Sequence, residues 1–196
     1  VLARHGADPA GPRALGLPRR RRCHRPWASG GPEASARLRA AASGAHEYAR
    51  AAFGFVRDTV PHSYDTNDPR VTRRASDVIE QRTGICHAKA RALVALLRAG
   101  SVPAALCCQE LDVVHGLVAV RMRGGRTWHR QDPRGNKPGT DARFSPGAER
   151  PAFSPDPKSN GMDYPVLYAE PDRKVLRALR SSRDRLSLRE NLPASL

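Results

Sequence analysis

Cys86 sits in the stretch RTGICHAKA, directly after Gly84-Ile85, and is one of only four cysteines in the 196 residues. The residues from Cys86 to Ala99, CHAKARALVALLRA, carry a helical pattern, which puts the thiol in the first turn of a helix. A cysteine is by default a small buried hydrophobe. A helix start gives it another use, because the macrodipole and the free N–H groups there lower a thiol pKa. The chemistry that suits this position is nucleophilic attack by a thiolate. Such a nucleophile needs a base to carry protons and a third group to hold that base. The Cys86 N–H, pointing outward from the helix start, is expected to form part of an oxyanion hole.

Seven histidines are candidates for the base. His5 and His24 lie in an Arg- and Pro-rich N-terminal stretch, and His46 lies in the first helical region, far from the later strands. His87 is adjacent to Cys86, but successive helix positions point about 100° apart, so it is poorly aimed at the sulfur. His62 lies in the loop PHSYDTNDP and could line a pocket, and the loop segment His62–Tyr64 is the candidate source of a second oxyanion donor. His115 and His129 remain, and they occupy two short apolar segments separated by RGGR, a hairpin signal. With Gly124-Gly125 as a two-residue turn, Arg123 faces Arg126 and Leu117 faces Asp132. His115 then shares a sheet face with Leu117 and is the diagonal neighbour of Asp132, about 7–8 Å away and within reach of longer side chains. His129 pairs with Val120 on the other face. An odd-length turn would reverse this assignment. On the even register, Cys86 is the nucleophile, His115 the base and Asp132 the group that orients it. Taken singly, His115 also reads as a satisfied histidine in a half-buried strand, and Asp132 as ordinary turn chemistry before Pro-Arg-Gly-Asn.

The elements that must position these residues follow an order of helices first and strands after. Residues 1–32 show no sustained periodicity and read as a disordered basic extension. From Glu33 the spacing predicts helix, with Ala41, Ala45, Tyr48, Ala52 and Phe55 or Val56 on one side and a break at Ser43-Gly44. A shorter helix is predicted from Ser76, with the serine as its cap, and ends near Gly84. Gly100 is expected to close the Cys86 helix in a left-handed conformation. AALCCQEL, VVHGLVAVRM and TWHRQDP read as strands, and residues 145–165 as mostly loop. Residues 173–196 predict an amphipathic helix docked on the domain. The fold class is α+β, with helices packed on an antiparallel sheet.

Composition narrows the function classes. Lys plus Arg total 34 against 19 acidic residues, a formal charge of +15, and nearly all the cations are Arg. Such a chain can bind anionic surfaces without specificity. Nucleic acid is nonetheless not the expected partner, because no Arg-rich stretch lies on a clear recognition helix and stacking aromatics are scarce. The cysteines Cys23, Cys86, Cys107 and Cys108 form no C-x-x-C and no zinc-type spacing, so they are expected as free thiols. No apolar run is long enough to span a membrane, and RRRR is not followed by an apolar segment, so a cytoplasmic location is expected.

Three motifs in order, RTGICHAKARALVALLRAGSVPA, VHGLVAVRM and WHRQDPRGNK, make the chain resemble the transglutaminase-like superfamily. The upstream FVRDTVPHSYD resembles the segment that leads to the family's Cys helix. The resemblance implies a papain-like core over residues 33–172, with Cys86 as nucleophile, His115 as base and Asp132 as orienter. It implies acyl transfer at a protein or peptide amide through a Cys86 thioester, with no metal or cofactor. Water would make the protein a peptidase or amidase, and an amine would make it an acyltransferase; the resemblance slightly favours hydrolysis. Two further readings are a catalytically idle interaction module of the same fold and a basic nucleic-acid-binding protein. His87 departs from the family, standing where bacterial relatives often carry Tyr, and the first 32 residues have no counterpart in it.

Overall fold

The computed structural model describes residues 31–196. The extension expected over residues 1–32 lies outside them, except that Gly31 and Pro32 already belong to the first helix. The chain forms α1 (Gly31–Ala40), α2 (Ala45–Thr59), α3 (Ala75–Gln81), α4 (Cys86–Ala99), β1 (Ala104–Glu110), β2 (Val114–Val120), β3 (His129–Gln131), β4 (Met162–Asp163), α5 (Arg173–Ser181) and α6 (Arg185–Asn191). The four strands make one antiparallel sheet in the order β3-β2-β1-β4. The fold is α+β, with the helices before the sheet in sequence.

Helix α4 is the centre of the core. Ala88, Ala90, Ala92, Leu93, Leu96 and Leu97 on it are fully buried. It packs against α2 and α3 on one side and against β2 and β1 on the other. Only Arg98 on it is exposed, and the small alanines let its neighbours come close. Each fully buried Leu or Phe, such as Leu93, Leu97 and Phe53, stabilises the fold by about 1.5–3 kcal/mol. The break at Ser43-Gly44 separates α1 from α2, and α2 buries Tyr48, Ala49, Ala52, Phe53 and Val56.

Alternation along the strands sorts side chains between the two faces. Leu106, Cys108, Val114, Val118 and Val120 join the helix-side core, while Cys107, Leu117 and Ala119 form a second cluster with Trp128 and Leu167. The hairpin keeps the even register, with Val118 opposite Gln131 and Val120 opposite His129. Its tight turn lies one residue earlier than expected: the Gly125 N–H donates to Met122 O at 3.0 Å, and Gly124 takes the positive φ of 81°.

Three local expectations are corrected. Ser76 does not cap α3; it lies inside the helix, and the Asp77 carboxylate accepts from the Arg74 N–H at 3.2 Å. Gly100 is not left-handed (φ −80°), and Ser101 takes the positive φ instead. Glycine is needed at 100 for space, since a Cβ there would lie 1.9 Å from Cε1 of Tyr48. The terminal segment is two short helices rather than one, broken at Ser182, with Val175, Ala178, Leu179 and Leu188 buried. Within the segment read as loop, β4 adds a fourth strand by pairing with Gln109 and Glu110.

Candidate functional site

Ile85 precedes α4 in extended conformation, and Cys86 is its first residue. The start of α4 lies close over β2 because residue 116 has no side chain. A Cβ at Gly116 would come within 2.4 Å of Nδ1 and 2.9 Å of Cα of His87. The His87 ring is buried there and its Nε2 donates to Val114 O at 2.8 Å. The His-Gly pair of β2 therefore does two things. His115 carries the imidazole, and Gly116 lets the cysteine helix approach.

His115 is buried, and its Nε2 lies 2.8 Å from Oδ2 of Asp132. That leaves Nδ1 for the thiol. Asp132 is fully buried and just past the end of β3. Besides His115, its carboxylate accepts from the Arg134 N–H and the Ala152 N–H, each at 3.0 Å. Three hydrogen bonds on one carboxylate hold it in a fixed pose. Phe153 meets the His115 ring edge-on at 5.4 Å and so covers it.

The electrostatics of Cys86 and His115 are those of a coupled pair. Burial raises the Cys86 thiol, but electrostatic interaction with His87 and His115 and a hydrogen bond from His115 outweigh it, so the thiol is held well below its ordinary range. Burial alone would pull His115 down. The Cys86 thiolate and Asp132 outweigh it and raise the imidazole well above its ordinary value. Both directions favour a thiolate beside an imidazolium. Cys107 and Cys108 behave oppositely, raised above ordinary thiols chiefly by burial.

The structure thus brings together all three residues singled out in the sequence, and it places His129 away from them, paired with Val120. It overturns one expectation: the Cys86 N–H is not free. It donates to Nε2 of His62 at 3.1 Å. A parallel bridge between His62 and Gly84 brings the loop after α2 alongside the residues before α4. That contact is long-range, and no local signal in PHSYD announces it. The same loop is tied to the Asp132 segment by Asp65, which takes both Arg134 guanidinium nitrogens at 2.6 and 3.0 Å and Lys137 Nζ at 2.8 Å. Ala152 and Phe153, which fix Asp132 and cover His115, lie in a stretch whose composition signals only loop.

Among the described residues, no cluster of three His, Cys, Asp or Glu side chains is placed to hold a metal ion. No helix among them is long and apolar enough to cross a membrane.

The sequence pattern of the transglutaminase-like superfamily matches residues 32–133, just over half of the chain and the stretch that carries Cys86, His115 and Asp132. The chain belongs to the transglutaminase-like superfamily. Among solved structures, this transglutaminase-like chain is similar to one described as a proposed cysteine protease from Cytophaga hutchinsonii, with a TM-score of 0.43 and 18% identity over 53% of this chain and 37% of that one. It is also similar to a structure described as a TGase, with a TM-score of 0.42 and 17% identity over 74% of this chain and 41% of that one. The transglutaminase-like chain thus spans well under half the length of either structure. No curated protein matches it.

Proposed function

We propose that the protein is a Cys-His-Asp enzyme that acts on protein or peptide amides through a thioester on Cys86. The observation that carries this reading is the 2.8 Å contact of His115 Nε2 with Asp132, in a site where the thiol of Cys86 and the imidazole of His115 shift toward the ion pair. The Cys86 thiolate attacks the amide carbonyl carbon, a C–S bond forms, and the carbonyl oxygen takes the negative charge. The His115 imidazolium gives its Nδ1 proton to the leaving nitrogen. The C–N bond breaks, the amine departs and the thioester remains. Water or a second amine then attacks the thioester while neutral His115 takes its proton. The C–S bond breaks and the thiolate returns. Water yields an acid, as in a peptidase or amidase, and an amine yields a new amide, as in an acyltransferase. Asp132 keeps Nε2 protonated and the ring aimed throughout, and it supports the imidazolium.

A peptide-amide library incubated with hydroxylamine tests this reading. Wild type is expected to form hydroxamates, and Cys86→Ala none. Folded wild type that forms neither a hydroxamate nor an acid from any member would contradict it. The second reading is a catalytically idle interaction domain. It is favoured by the low exposure of Cys86, 8%, and by the engagement of its N–H.

A further inference from the structure

The oxygen of an attacked carbonyl must lie about 2.7–3.1 Å from the donors that stabilise it. At 3.1 Å from the Cys86 nitrogen, on the line of its N–H, lies Nε2 of His62. That imidazole therefore stands where the oxygen has to come. His62 is 8% exposed, and its other nitrogen, Nδ1, is buried with no hydrogen-bond partner. Because Nε2 accepts from the Cys86 N–H, the neutral ring carries its proton on Nδ1. A buried donor without an acceptor is destabilising by about 1–3 kcal/mol. The ring is thus held in a pose that satisfies the helix start and leaves its own donor unpaired.

We infer that His62 is the second oxyanion donor of the acyl-transfer site, and that it exchanges its bond to the Cys86 N–H for a bond to the substrate oxygen. This inference rests on the acyl-transfer reading above and assigns a residue to the half of that reaction which the Cys-His-Asp set does not serve. The exchange needs a proton on Nε2. The ring takes it from solvent as the carbonyl arrives, becomes an imidazolium and can no longer accept from Cys86. The Cys86 N–H and the His62 Nε2–H then both point at the same oxygen. When the tetrahedral species collapses, the carbonyl reforms and the proton returns to solvent. The groups around His62 suit this change. Asp65, on the same loop and fixed by Arg134 and Lys137, interacts electrostatically with the imidazole. Tyr64 stacks on the ring at 5.7 Å and holds its plane.

Two reagents separate the oxyanion from the thiolate. Iodoacetamide alkylates sulfur and builds no oxyanion, whereas p-nitrophenyl acetate acylates through a tetrahedral oxyanion. Both reactions are followed at Cys86 by mass spectrometry on the full chain, each on the plateau of its own pH profile, with Cys86→Ala as background. His62→Phe keeps the ring and its stack on Tyr64 but has no donor. It is expected to slow acylation about 10²-fold while changing alkylation by no more than about threefold. His62→Gln restores an N–H donor and is expected to keep acylation within about tenfold of wild type. If His62→Phe fails to fold by circular dichroism, His62→Met carries the same comparison. Unchanged or faster acylation in the variant overturns the inference, since His62 is then only a cap or a plug. An equal fall in both reactions overturns it too, since His62 then serves the thiolate. Wild-type Cys86 inert to both reagents would instead remove the acyl-transfer reading itself, and this inference with it.

Discussion

His115 and Asp132 touch at 2.8 Å although they are diagonal rather than direct neighbours in the hairpin register. Diagonal pairs start about 7–8 Å apart and meet only when longer side chains lean together. The lean is fixed from the aspartate side, where the Arg134 and Ala152 N–H groups hold both carboxylate oxygens. Asp132→Asn keeps the shape but loses the anion that holds the ring. It is expected to lower turnover about 10²-fold or more, with thermal stability reduced less than in Asp132→Ala. Steady-state rates and melting curves of the two variants check this.

Gly116 lets the cysteine helix sit against β2. A methyl group there meets the His87 backbone at 2.9 Å, and backbone cannot turn aside as a flexible side chain can. Gly116→Ala is expected to destabilise the fold by about 1–3 kcal/mol and to slow Cys86 alkylation by moving the helix start from His115. Chemical denaturation and alkylation rates measure the two effects.

Lys89 is fully buried three residues after the nucleophile, where its Nζ donates to the Val60 carbonyl and to Arg57 O at 3.4 Å, at the end of α2. Burial pulls its pKa from 10.5 down to about 7. Between these two values the unfolded chain binds the extra proton and the folded chain does not. Stability from this group therefore rises with pH across that window. Lys89→Met is expected to flatten the stability–pH curve between about pH 7 and 10.5 relative to wild type. The difference between the two curves, from urea melts at several pH values, isolates Lys89 from His115 and Cys86.

Asp65 clamps the His62 loop to the Asp132 segment. Burial would raise its carboxyl, but Arg134 and Lys137 hold it well below the ordinary value of 3.8. A carboxylate lowered in this way stabilises the fold above its unfolded pKa and loses that contribution as pH falls below it. Asp65→Asn is expected to be less stable than wild type at neutral pH, and the gap to narrow only as pH falls below about 4, closing as pH approaches the lowered pKa of the folded carboxyl. Acid denaturation followed by circular dichroism tests the convergence.

Much of this was legible locally. The helical run after Cys86 places its sulfur at a helix start. The even hairpin register places Asp132 diagonal to His115, and it survives a turn one residue from the expected Gly124-Gly125. What was not legible is non-local. The bond from Cys86 N–H to His62 depends on a bridge across the segment between α2 and α4. Ala152 and Phe153 reach the site from a stretch with no periodicity. Gly100 was misread because the Tyr48 ring takes the space beside it, and Ser76 because α3 starts one residue earlier, with Asp77 accepting from the Arg74 N–H.

The central claim is that Cys86 and His115 form a thiolate–imidazolium pair. The most direct test is the pH profile of iodoacetamide alkylation at Cys86, read by mass spectrometry in wild type and His115→Ala, with Cys107 and Cys108 as internal controls. Thiolate reactivity falls only as pH drops through the lowered Cys86 pKa. Wild-type Cys86 is therefore expected to react well below the ~8.5 of a free thiol, and His115→Ala to lose that reactivity. A Cys86 that titrates with the control thiols, or stays silent in the folded protein, would contradict the account.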